Sequence, residues 1–256
     1  MTRLCDFFHY CNKEWGIIMA DQKHIVIVGA GFGGVRLAKE LAKEKNVRVT
    51  LVDRHNYHLF QPLLYQVSTA VLSSSEIAYP TRQFFKNNLN VNFYMSKALG
   101  VDQDRRVLIT KHGEISYDYL VLAAGATTNF FGNKSVERNS YAMKTLQEAI
   151  LLRGHLIHEF ERASRKSGPD QREARQRHLN FVIVGGGATG IEMAGALMEL
   201  IDIFKKEFHT IDFSEVHVTL LEAMGSVLPM VPPDLQQHTI DVLRKKGVDV
   251  RLNTAV

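Results

Sequence analysis

Two stretches of the chain share one pattern of apolar and polar positions. HIVIV (24–28) is a β-branched run with the look of a buried parallel strand, and it leads into a glycine-rich turn. Val35, Ala38, Leu41 and Ala42 follow at helical spacing, and VRVTLV (47–52) is a second strand that ends in Asp53. The pattern recurs from NFVIV (180–184), through a helix with Ile191, Ala194, Leu197, Met198, Ile201 and Phe204 on one face, to VHVTLL (216–221) and Glu222. Between the two, residues 54–96 read as a connection. Residues 99–110 and 115–125 read as strand, turn, strand, turn, strand. Thr145 and Glu148 have capping-box spacing and predict a helix to about Arg162. Pro232-Pro233-Asp234 opens another helix, closed by Gly247 before a third strand of the second unit at 248–253.

The turns explain why the pattern repeats. The first is Gly29-Ala30-Gly31-Phe32-Gly33-Gly34 and the second Gly185-Gly186-Gly187-Ala188-Thr189-Gly190. Gly29 and Gly185 permit the tight turn, and Gly31 and Gly187 let a pyrophosphate reach the backbone. Gly34 and Gly190 let helix and strand pack closely. The helix N-terminus offers free N–H groups to phosphates. Asp53 lies 19 residues past Gly34, where a carboxylate can hold ribose hydroxyls, and Glu222 has the same place in the second unit. No Arg or Lys occurs in Ala223-Met224-Gly225-Ser226 to meet a 2′-phosphate, which favours NADH over NADPH. Two such units imply two dinucleotides, and FAD with a nicotinamide cofactor is the natural pair for electron transfer.

Composition narrows the picture further. The 256 residues are 45% hydrophobic and 23% charged, which excludes a disordered chain or a fibre. Two cysteines exclude a disulfide scaffold, and no apolar run reaches the length of a membrane-spanning helix. Net charge is only +4, and the densest basic stretch, 161–178, is interrupted by Glu161, Asp170 and Glu173. It reads as a solvated helix end and loop, so no nucleic acid is expected. His55 and His58 lack the partners of a metal site, and no metal is expected. Residues 1–18 hold Cys5, Cys11 and Trp15 and fit no signal peptide. They are expected to be a non-native or disordered extension, with the start at Met19.

The motifs VIVGAGFGG (26–34), HLFQPLLYQVSTAVLS (58–73), YDYLVLAAGATTNFFG (117–132) and FVIVGGGATGIEMAGAL (181–197) together resemble type II NADH:quinone oxidoreductases, single-chain flavoproteins of respiratory chains. The resemblance spans about residues 20–256. It implies an α/β fold of two Rossmann-like dinucleotide-binding domains with three-layer ββα/βα character. FAD is expected in 20–145 and NADH in 146–256, with the second domain and the return of the FAD domain incomplete, so that the chain is expected to be a fragment. Carried over by motif, Gly29, Ala30, Gly31, Gly33, Gly34, Asp53, Ala124 and Gly125 would hold FAD, with Ala98 beside its adenine. Gly185, Gly187, Gly190 and Glu222 would hold NADH. In this family NADH gives a hydride to the flavin, which passes two electrons to a quinone with two protons.

The resemblance also implies that Glu192 is a carboxylate near nicotinamide and flavin. The residue by itself reads equally as an acid in the first turn of a helix. Phe60, Gln61, Pro62, Tyr65 and Gln66 match a stretch that passes near the flavin ring, although Phe60 and Tyr65 read as core packing beside a Pro-fixed loop. The expected partners are NADH, a quinone, the cytoplasmic face of the inner (plasma) membrane through a C-terminal region beyond Val256, and a second copy in a homodimer. A thiol relay is excluded, because no cysteine occurs from Asp53 to Val256. A ferredoxin or rubredoxin reductase and a non-catalytic nucleotide-binding remnant remain as alternatives.

Overall fold

The computed structural model describes residues 22–166 and 168–256. The expectations for residues 1–18 and for a start at Met19 lie outside the described residues. The chain divides into two compact units. One takes the chain up to Leu59 together with Tyr79–Ala126, and the other takes Phe60–Ala78 and Thr127–Val256.

The first unit begins with β1 (Lys23–Val28), α1 (Phe32–Leu41) and β2 (Val47–Asp53). Short strands β3 (Tyr57–Leu59) and β4 (Ala78–Pro80) follow, then β5 (Val91–Met95). The strands β6 (Ala98–Asp102), β7 (Val107–Thr110), β8 (Gly113–Ser116) and β9 (Tyr119–Leu122) complete it. A parallel sheet has the order β5-β2-β1-β9, with β1 central. One face of the sheet packs Ile27, Val49 and Leu51 against Val35 and Ala38 of α1 and against Phe85 and Phe93. The other packs Val26, Val28 and Val52 against Leu108, Val101 and Ile115 of the antiparallel sheet β6-β7-β8. Cover on both faces is why β1 is apolar at successive positions instead of alternating.

Two expectations for this unit are corrected. Residues 54–96 are more than a connection, because β5 is a strand of the main sheet. Only Val91 and Phe93 of β5 are buried, and five residues between Asn90 and Ser96 are too few to show a strand pattern. The stretch 98–122 holds four strands. Asp102 accepts the Arg105 N–H (2.9 Å) and bends the chain out of β6, and Arg106 is left-handed (φ +50°) before β7.

In the second unit, the short helices α2 (Leu64–Ser68), α3 (Ser74–Ile77) and α4 (Lys134–Asn139) precede α5 (Leu146–Ser164) and α6 (Arg172–Gln176). Then come β10 (Asn180–Val184), α7 (Ala188–Phe204), β11 (His217–Leu221), α8 (Pro233–Lys245) and β12 (Val248–Arg251). The three strands are parallel in the order β10-β11-β12. α5 starts in the predicted capping box of Thr145 and Glu148, and Gly247 (φ +97°) closes α8 as expected. One core joins α5, α7, α8 and the sheet, centred on Phe160, Leu197, Ile201 and Leu220. Phe160 stands within 6.2 Å, centroid to centroid, of Phe181, Phe204, Phe208 and Phe213. The basic stretch 161–178 is not wholly solvated. Arg175 is buried and makes a two-pronged bond to Glu215, with both contacts at 2.7 Å. Its guanidinium also donates to the Lys166 carbonyl (2.6 Å), so this arginine pins the segment after α5 to the core.

Candidate functional site: two acid-clamped glycine turns

The first turn is built by four constraints. Gly29 is left-handed (φ +108°) and its N–H donates to the Val52 carbonyl of β2 (2.7 Å). A Cβ on Gly29 would run into the Ala123 carbonyl, where the chain leaves β9. A Cβ on Gly34 would collide with the Gly29 carbonyl, whereas Gly31 and Gly33 face open space. Asp53 then ties the turn to the end of β2. Its Oδ2 accepts the Ala30 N–H (2.7 Å), and its Oδ1 accepts the His55 N–H (2.8 Å).

The second turn repeats this bond for bond. Gly185 is left-handed (φ +105°) and donates to the Leu221 carbonyl of β11 (2.8 Å). A Cβ on Gly190 would collide with the Gly185 carbonyl. Glu222 accepts the Gly186 N–H through Oε2 and the Met224 N–H (2.7 Å) through Oε1. Each acid thus spends one lone pair per oxygen on the backbone and keeps others for hydroxyl donors.

Both helices that follow are left without caps. Gly31 and Gly187 are the N-caps of α1 and α7, neither offers a side-chain acceptor, and neither first turn holds an acid. By contrast α3 and α5 carry full capping boxes. The first N–H groups of a helix have no partner within it, so the N-terminal amides of α1 and α7 stand at the positive ends of their helices. Open space beside Gly31, helix-end amides and a nearby carboxylate suit the pyrophosphate and ribose of a dinucleotide at each turn.

The remaining predicted residues are placed as follows. Ala124 and Gly125 (φ +73°) lie just past β9, with the Ala124 backbone alongside Gly29. Ala98 opens β6 and packs against the layer between the two sheets. Glu192 is exposed at the fifth position of α7, not in its first turn, so helix-end electrostatics do not account for it. It makes no hydrogen bond or ion pair among the described residues, and partial desolvation raises its carboxyl pKa. Phe60 is not core, being 44% exposed, because it precedes the one-turn helix that Pro62 sets at 61–63. Tyr65 does pack against the core of the second unit.

Sequence spacing missed the second grip on each turn. The Ala30 carbonyl accepts from His58 Nδ1 (2.8 Å), and the Gly186 carbonyl accepts from the Leu228 N–H (2.9 Å). Leu228 is itself left-handed (φ +47°). His58 carried no signal beyond its place in HLFQPLL. Among the described residues no group of three or more His, Cys, Asp or Glu is placed to hold a metal ion, and no helix is long and apolar enough to cross a membrane.

Comparisons with known proteins agree with this geometry. The family model described as pyridine nucleotide-disulphide oxidoreductase matches residues 23–256. The chain is 39% identical over 237 residues to the type II NADH:quinone oxidoreductase Ndh of Mycobacterium tuberculosis, covering 91% of this chain and 50% of that protein. It is 31% identical to the type II NADH:quinone oxidoreductase of Haemophilus influenzae, covering 91% and 58%. The solved structure of NDH2 from Plasmodium falciparum in complex with NADH matches with a TM-score of 0.83 and 25% identity, over 92% of this chain and 48% of that one. The chain spans about half the length of the curated relatives it matches. With a family match that runs through both turns, the chain belongs to the pyridine nucleotide-disulphide oxidoreductase family.

Proposed function

We propose that this chain carries the dinucleotide-binding machinery of a type II NADH:quinone oxidoreductase. The observation that carries the reading is the twice-built acid-clamped turn, in a chain 39% identical over 237 residues to an enzyme of that name. FAD is assigned to residues 20–145, on Gly29, Ala30, Gly31, Gly33, Gly34 and Asp53, with Ala98 beside the adenine and Ala124 and Gly125 against the ligand. NADH is assigned to 146–256, on Gly185, Gly187, Gly190 and Glu222. When bound, the flavin supplies the capacity to take two electrons from NADH and pass them to a quinone.

The protein's own part is positioning. The helix-end amides of α1 and α7 would hold phosphates, while Asp53 and Glu222 stiffen the turns and would hold ribose hydroxyls. Glu192 is the group assigned to proton exchange, because its carboxyl makes no hydrogen bond or ion pair among the described residues and partial desolvation raises its pKa. The reading extends to peripheral attachment at the cytoplasmic face of the inner (plasma) membrane and to a homodimer.

The test is the visible absorption spectrum of the protein supplied with FAD, before and after anaerobic NADH, followed by addition of a soluble quinone. A flavin band that bleaches with NADH and returns with quinone is the expected result. A protein that takes up neither dinucleotide overturns the reading. Glu192→Gln is expected to slow turnover while both dinucleotides still bind, and unchanged kinetics would remove Glu192 from the assignment.

A further inference from the structure

We propose that His58 is a positioning residue of the first dinucleotide site, holding the glycine turn in its binding shape through the Ala30 carbonyl. The Nδ1–Ala30 O distance is 2.8 Å. A carbonyl only accepts, so Nδ1 carries the proton and donates. The ring has little freedom to turn away. Phe32 meets it edge-on at 5.1 Å between centroids and Phe84 at 5.6 Å, and Lys39 Nζ sits over the Phe84 ring at 4.2 Å.

The consequence falls on the next amide. In a planar trans peptide the C=O and N–H point in opposite directions. Fixing the Ala30 oxygen therefore fixes the Gly31 N–H on the side away from His58. That N–H makes no hydrogen bond among the described residues, and the space beside Gly31 is open. Ala30 is thereby gripped twice, by Asp53 at its N–H and by His58 at its C=O.

The second turn supplies independent support. Gly186 is gripped at the same two atoms, by Glu222 at its N–H and by the Leu228 N–H at its C=O. There the donor is a backbone amide brought round by a left-handed leucine, a costly conformation for a non-glycine residue. Both copies hold this carbonyl with unrelated donors, so the contact answers a need of the turn and not the packing of one imidazole.

The role toward FAD rests on the FAD assignment above, and the test separates the two. Amide hydrogen exchange on the ligand-free protein reads the clamp itself. His58→Leu is expected to speed exchange across 26–34, and His58→Asn, whose side-chain amide can stand where Nδ1 stands, is expected to restore protection. FAD titration by flavin fluorescence then reads its use. His58→Leu is expected to weaken FAD by about tenfold, the usual size for one hydrogen bond. His58→Asn is expected to stay within about twofold on the same scale, and NADH affinity is expected to be unchanged in both. Exchange and FAD affinity that do not respond to His58→Leu overturn the proposal. So does equal damage from Asn and Leu, which would assign His58 to ring packing alone. If the wild-type protein takes no FAD, the FAD assignment fails, while the exchange measurement still decides whether His58 holds the turn.

Discussion

Among single residues, the glycines of the two turns differ sharply in what they demand. Gly34 and Gly190 face a backbone carbonyl that cannot move, so an added methyl must push helix from strand. Gly34→Ala is expected to cost about 1–3 kcal/mol, as overpacking generally does. It is expected to weaken the first dinucleotide site with it, and urea unfolding with a ligand titration measures both. Gly33 lies in α1 with open space around its Cβ position. Gly33→Ala is expected to be neutral or to stabilise by up to about 1 kcal/mol through helix propensity. A large destabilisation in the same unfolding assay would contradict that. Phe160 is the corresponding residue of the second core, fully buried among four other phenylalanine rings. Phe160→Ala is expected to cost about 3–5 kcal/mol, read from the same denaturation curves.

At the scale of elements, what matters is how each segment is tied at its ends. The capping box of α5 satisfies the backbone N–H groups of Lys144, Thr145 and Glu148 through two side chains. Thr145→Val is expected to cost about 1 kcal/mol. The segment after α5 depends on the Arg175–Glu215 pair, with Arg172 Nε also 3.4 Å from Glu215. The hydrogen bonds from Arg175 hold the Glu215 carboxyl below its ordinary pKa, against the opposing effect of desolvation. A depressed carboxylate contributes stability at pH values above its unfolded-state pKa, and that contribution is lost as pH falls through the folded value. The thermal midpoint is therefore expected to fall as pH drops below the ordinary glutamate range. Glu215→Gln is expected to start lower and to lose part of that acid dependence. Parallel midpoint-against-pH curves for the two proteins would show that another group carries the effect.

For the whole molecule, the proposed assignment of one dinucleotide to each turn implies two sites that can be disabled one at a time. Asp53→Asn is expected to weaken FAD and leave NADH alone, and Glu222→Gln to do the reverse. Each is expected to lose about tenfold in affinity, the range for one hydrogen bond to a charged group. Calorimetric titration of each variant with each dinucleotide gives the four numbers. If either substitution weakened both ligands equally, the assignment of one ligand to each turn would fail. The two units also differ in cover. The first sheet is packed on both faces, whereas Val182 and Val184 of β10 are more than half exposed.

Local rules made much of this readable in the residues alone. A left-handed turn needs glycine, a buried parallel strand needs a run of β-branched residues, and a pyrophosphate needs free amides beside an acid. Those requirements are met by neighbours in the chain, so Gly29, Gly34, Asp53 and their partners in the second unit stand out by spacing, as does the box at Thr145. Other features depend on residues far apart meeting in space. The strand at 91–95 is defined by pairing with β2, and its own pattern is too short to show it. Arg175 reads as one more surface cation until Glu215, 40 residues on, closes over it. His58 reads as an ordinary loop histidine until the chain returns it to the Ala30 carbonyl, 28 residues back. The two turns and the acids beside them could be read from the residues, because short-range geometry dictates them. What grips those turns from behind emerged from the fold alone, because it depends on which distant groups are brought within hydrogen-bond reach.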